Sequence, residues 1–142
     1  MEPEYKGTDS NCFACGTSNQ RGLKLKFALI DDHVEARFVP DKDFEGWDNI
    51  VHGGIVSTVI DEAMSHAIFR LDGGSVVTAE MTVRFVKPML VGKPFVVHGK
   101  IDGLKGRLIE ASASITDQDG NLIAKGTGRF MRVGIDQKLN FC

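Results

Sequence analysis

Asp61 and the tripeptide His52, Gly53, Gly54 are the residues whose types and spacing in this chain could do chemistry, an acid able to serve as a general base and a helix start with exposed N–H groups. At about 100° per residue on a helix, Gly54, Ser57, Thr58 and Ser65 fall within about 60° of Asp61. That stripe of small and hydroxyl side chains leaves room beside the carboxylate. A carboxylate in a partly desolvated groove gains the raised pKa that a general base needs. The plainer alternative is a solvated surface charge, the usual state of a lone Asp on an amphipathic helix. Gly-Gly is a poor helix former, so at a helix start it implies a group approaching the backbone closely, or a turn that needs positive φ. First-turn N–H groups at the positive end of a helix dipole suit a carbonyl oxygen or an oxyanion. A tight loop-to-helix turn would account for the same two glycines.

These residues need a helix to hold them, and residues 51–71, VHGGIVSTVIDEAMSHAIFRL, supply it. Val56, Val59, Ile60, Ala63, Met64, Ala67 and Leu71 form one broad apolar arc, wide enough to bury against a sheet. Everything else reads as β-structure. Leu23, Leu25, Phe27 and Leu29 alternate with polar residues, Asp31 and Asp32 make a turn, and Val34, Ala36 and Phe38 point inward, giving a hairpin. Asp72, Gly73 and Gly74 stop the helix.

The strand over 75–87 has Val77, Ala79, Met81, Val83 and Phe85 on one face. Val76, Thr78, Glu80, Thr82, Arg84 and Val86 occupy the other, mainly polar, face. Strands over 95–104, 107–117 and 122–133 follow, joined by Gly-containing turns. The order is ββαββββ, an α+β class in which one antiparallel sheet curls around one apolar helix. Residues 1–22 form an N-terminal loop arm, 23–133 the domain and 134–142 a tail. Phe44 and Trp47 lie in the loop that feeds the helix.

With 142 residues the chain makes one domain, and its 17 basic and 19 acidic residues give a formal charge of −2. No basic surplus argues for nucleic acid. An acidic start with no apolar run behind it argues against a secretion signal, and no stretch approaches the length of a membrane span, so a cytoplasmic location is expected. Cys12, Cys15 and Cys142 make an odd count that fits reduced thiols. Cys12 and Cys15 supply two metal ligands where structural zinc takes four, and no second pair exists, so no metal is expected.

This order of elements, with VHGGIVSTVIDEA at the helix, CFACG in the arm and GTGRF near residue 130, resembles a hot-dog fold acyl-CoA thioesterase. The resemblance is to the phenylacetic-acid-degradation (PaaI-like) group. It implies that Asp61 is the catalytic acid, acting as general base on water or as nucleophile. Gly53, with Gly54, would polarise the thioester carbonyl and His52 would orient the loop or the thioester. Thr78 would reach the site from the partner subunit and help place the water. It further implies a homodimer, often paired again into a tetramer, with acyl-CoA as substrate and no separate cofactor. Coenzyme A would run along Val86, Lys87, Pro88 and the turn Lys105, Gly106, Arg107, whose basic side chains suit phosphates. Phe44, Trp47 and Met64 are candidates for the acyl pocket. The Asn that many relatives place six residues before the motif histidine is absent; that position is Gly46.

Two rivals use the same fold. A hydratase would pair Asp61 with His66, but side chains five residues apart on a helix point about 140° apart. A sensor or carrier would keep the pocket without the chemistry; no DNA-reading helix accompanies the domain here.

Overall fold

Residues 2–133 are described by the computed structural model; the tail expected over 134–142, with Cys142, lies outside them. Helix α1 spans Gly53–Asp72. It starts at His52, whose Nδ1 accepts the N–H of Gly54 at 2.9 Å. It ends at Gly73, which takes a left-handed φ of 82° and donates its N–H to the carbonyls of Ile68 and Phe69. Val59, Ile60, Ala63, Met64, Ala67 and Ile68 are fully buried. Each large apolar side chain among them contributes about 1.5–3 kcal/mol of transfer free energy. Leu71, assigned to the same arc from periodicity, is 37% exposed, because it lies in the last turn beyond the sheet's cover.

The strands are β1 (Phe27–Ile30), β2 (His33–Phe38), β3 (Val76–Phe85), β4 (Phe95–Lys105), β5 (Leu108–Asp117) and β6 (Leu122–Arg132). They form one antiparallel sheet in the order β1-β2-β4-β5-β6-β3, so β3 is an edge strand. This is the hot-dog arrangement of a single helix held by a sheet. Glycines set how closely the sheet can hold it. A Cβ on Gly99 of β4 would stand 2.2 Å from the Ala63 carbonyl oxygen, and one on Gly126 of β6 would stand 2.5 Å from an Ile60 methyl. Backbone therefore packs directly on the helix where a side chain would hold it away.

Two strands depart from the pattern read in the sequence. β1 begins at Phe27, not at Leu23, because Lys24 takes a φ of 54°, which breaks the extended run. Leu23 and Leu25 are buried all the same, whereas Leu29 is 38% exposed. In β3 the register shifts between Thr78 and Glu80, so Ala79 forms a bulge. A bulge exchanges the two faces of a strand beyond it. Val76 and Thr78 thus share the helix side with Met81 and Val83, which pack on the core.

The arm over 2–22 joins the domain through the bridge Lys6 to Phe27, folds on itself through the bridge Thr8 to Gly16, and buries Ala14 and Cys15. Among the described residues no helix is long and apolar enough to cross a membrane.

Candidate active site

Asp61 sits in the third turn of α1, half-buried, on the side that meets the edge strand. Thr78 Oγ1 donates a hydrogen bond of 2.7 Å to Asp61 Oδ1. The bulge at Ala79 is what turns this hydroxyl toward the helix. Burial is the main influence on the carboxyl and raises its pKa above the ordinary carboxylate value. The Thr78 hydrogen bond opposes that rise by stabilising the ionised form, and the charge of Glu62 adds to it. Thr78 is thus hydrogen-bonded to the Asp61 of its own chain, where the resemblance implied a hydroxyl that reaches the site from the partner subunit.

The helix start forms a second centre. Gly54 has given its N–H to His52, so the Gly53 N–H is the one of the pair with no acceptor among the described residues. A cleft of about 690 Å³ opens beside it, lined by residues that include Trp47, His52, Gly53, Phe85, Lys87 and Pro88. Trp47 is 83% exposed along this cleft. Of the other acyl-pocket candidates, Met64 is fully buried in the core and Phe44 packs against Phe38, so neither lines it. A larger groove, lined by Thr82, His98, Ser112 and Lys125 among others, includes none of the site residues read from the sequence.

The two centres are separate within one chain. Eight residues at 1.5 Å rise place Gly53 about 12 Å from Asp61 along the axis of α1. Thr78 and Phe85 stand about 20 Å apart along β3, six ladder steps once the bulge is counted. The residues expected to bind coenzyme A divide in the same way. Val86, Lys87 and Pro88 border the cleft at the helix start. The turn at Lys105, Gly106 and Arg107 is at the opposite end of the sheet, where Arg132 Nε donates to the Gly106 carbonyl at 3.1 Å and the Arg132 guanidinium pairs with Asp72. The single chain does not bring them together.

His66 is on the far side of α1 from this chemistry. It is 2% exposed, stacks on Phe27 with ring centroids 4.3 Å apart, and sets Nε2 3.3 Å from Glu62 Oε1. It cannot act with Asp61 on one carbon, which removes the geometric basis of the hydratase reading.

Comparison with known proteins agrees with this architecture. The sequence pattern of the thioesterase superfamily matches residues 48–124, more than half of the chain, which therefore belongs to that superfamily. Acyl-coenzyme A thioesterase THEM4 of Xenopus laevis is 27% identical over 120 residues, covering 81% of this chain and 54% of that protein. The chain thus spans about half the length of that relative. Among solved structures, the PaaI protein of the E. coli phenylacetic acid degradation operon superposes with a TM-score of 0.73 at 18% identity, covering 79% of this chain and 81% of that one. The smu.793 protein of Streptococcus mutans, bound to acetyl-CoA, gives a TM-score of 0.71 at 18% identity, covering 78% of this chain and 89% of that one. Both share the fold.

Proposed function

We propose that this protein hydrolyses the thioester of an aromatic or medium-chain acyl-CoA, in a site built from two copies of the chain. The observation that carries the reading is the half-buried Asp61 carboxylate held by Thr78, in a chain of the thioesterase superfamily. Asp61 lies about 12 Å from the Gly53 N–H along the helix, too far for both to touch one carbonyl. An antiparallel pairing of two chains along the exposed edge of β3 would set the Asp61 and Thr78 of one beside the helix start of the other. Lys105 and Arg107 would then share a site with the partner copy's cleft at the helix start. Val77, Phe85 and Val86, 45%, 55% and 46% exposed, give that edge an apolar surface suited to pairing. A dimer of dimers is compatible with this arrangement.

In the reaction, the thioester oxygen accepts from the Gly53 N–H, where negative charge develops. Asp61 takes a proton from a water that attacks the carbonyl carbon; the C–S bond breaks, the free acid forms, and the sulfur leaves as coenzyme A thiol with that proton. Alternatively Asp61 attacks the carbon itself; the C–S bond breaks to give a mixed anhydride and thiolate, and a water then hydrolyses the anhydride to free acid, its proton neutralising the thiolate. His52 shapes the donor by holding the Gly54 N–H, so that the helix begins at Gly53. The acetyl-CoA bound by the Streptococcus mutans protein supports an acyl-CoA substrate, and Lys87, Lys105 and Arg107 offer cations for its phosphates.

Thiol release from a panel of phenylacetyl-, hydroxybenzoyl- and medium-chain acyl-CoA tests the reading. Asp61→Asn should lower the rate about 10³-fold. Equal rates in the two proteins would remove the mechanism. Tight acyl-CoA binding with no release from any thioester would establish the sensor instead. A single turnover in ¹⁸O water separates the two roles of Asp61, since label enters the protein carboxylate only through an acyl-enzyme.

A further inference from the structure

We propose that Cys12, Cys15, Glu62 and His66 form a four-ligand site for one structural zinc ion that fastens the N-terminal arm to helix α1. This revises the expectation of no metal. The sequence supplies only one Cys pair, but the fold lays that pair against the side of α1 that carries Glu62 and His66. The two sulfurs and a Glu62 oxygen all lie within 4.8 Å of one another. His66, one turn after Glu62, places Nε2 3.3 Å from its carboxylate. Thiolate, imidazole and carboxylate are the donors zinc takes, and structural sites close with four protein ligands. With Zn–S bonds of about 2.3 Å, tetrahedral geometry sets two sulfurs about 3.8 Å apart. The two sulfurs, within 4.8 Å of each other, need to close by no more than about 1 Å to reach that separation, and a turn of the His66 ring toward them would bring in the fourth ligand.

The local backbone suits metal-bound sulfur. The Ala14 N–H donates to Cys12 Sγ at 3.3 Å, and the Gly16 N–H closes the turn onto the Cys12 carbonyl at 2.9 Å. A Cβ at Gly16 would stand 2.4 Å from both the Ser10 carbonyl oxygen and the Cys12 nitrogen, so only glycine fits after the second cysteine. Thr8 Oγ1 lies 3.3 Å from Cys15 Sγ. An N–H or O–H near sulfur favours the thiolate that ligates metal, and such outer contacts orient ligands. Cys15, Glu62 and His66 are 0%, 6% and 2% exposed, so the ion would be shielded from water. One divalent cation would offset the charges of two thiolates and a buried carboxylate together, whose burial is otherwise costly. Binding releases the two thiol protons and leaves the sulfurs' oxidation state unchanged.

The test uses the full chain carrying Cys142→Ser, so that thiol signals come from the pair alone. Protein expressed in zinc-supplemented medium and purified without chelator should hold about one zinc per chain by mass spectrometric metal analysis. Replacing zinc by Co²⁺ should give the sulfur-to-cobalt charge-transfer band and the visible bands of tetrahedral thiolate coordination. Cys12→Ser, at the half-buried and therefore more tolerant position, should weaken the charge-transfer band and lower zinc affinity at least 10-fold. Chelation should lower the melting temperature of the unsubstituted chain. The proposal is overturned by a folded protein with far less than one zinc per chain and no cobalt band. It is also overturned by a native mass two hydrogens lighter, the mark of a Cys12–Cys15 disulfide. None of these readouts depends on thioester hydrolysis.

Discussion

The hydroxyl of Thr78 meets the carboxylate of Asp61 at 2.7 Å, joining the edge strand β3 to helix α1 at the point where the acid is half-buried. A hydrogen bond to a charged group contributes about 1.5–3 kcal/mol. Thr78→Val should therefore lower kcat for thiol release about 10- to 100-fold, with Thr78→Ser restoring most of it. Steady-state kinetics of the three proteins check this. An unchanged kcat in the valine variant would show that the hydroxyl plays no part.

His52 caps α1 through Nδ1, and loss of a side-chain cap costs about 1 kcal/mol. His52→Ala should lower stability in urea by about that amount. His52→Asn should recover it, because a short acceptor at this position also reaches the Gly54 N–H. An asparagine variant as unstable as the alanine variant would contradict the capping role.

Gly99 is the closest approach of the sheet to the helix. Gly99→Ala forces a methyl against the Ala63 carbonyl and should cost about 3 kcal/mol or more. Gly103, on the same strand, has open space where a Cβ would go, and Gly103→Ala should change stability by less than about 1 kcal/mol. Thermal unfolding of the pair measures the contrast, and equal melting temperatures would refute it.

Asp117 closes the β5–β6 turn by accepting the amides of Asn121 and Asp119 and the Asn121 side chain. The Asn121 amide is the main cause that holds its carboxyl below the ordinary carboxylate value. A depressed folded-state pKa adds stability that is present above the unfolded value of about 3.9 and lost as pH falls through the folded one. Stability in mild acid should thus decline less steeply in Asp117→Asn than in the unsubstituted protein. Identical acid profiles would contradict this.

Much of this was legible from periodicity, because the residues concerned act locally. The arc of α1 from Val56 to Ala67, the inward face of β2 and the strands beyond the helix follow spacing rules that short windows carry. The faces of β3 did not, since a bulge at Ala79 inverts them and nothing in the side chains near it announces the extra residue. The distance between Gly53 and Asp61 was available from helix rise alone, yet the motif reads as one site until that length is considered. The pairing of Cys12 and Cys15 with Glu62 and His66 spans about fifty residues of sequence. Its local signals were the Cys12, Cys15 pair and the Glu62, His66 spacing of four, which sets those two on one helix face.

The central claim is that each site takes Asp61 from one chain and the Gly53 N–H from another. Gly53→Pro deletes that donor while keeping the helix, since proline is well tolerated at a first helical position. His52, with φ −56° and ψ 136°, already has the backbone that a residue before proline adopts, and a Cβ at Gly53 meets only Phe85 ring carbons at 3.7 Å. Asp61→Asn and Gly53→Pro chains should each be nearly inactive alone. Co-expressed, they should recover about a quarter of wild-type thiol release, because half of the dimers are mixed and each of those keeps one intact site. A mixture no more active than its parents would contradict the two-chain site.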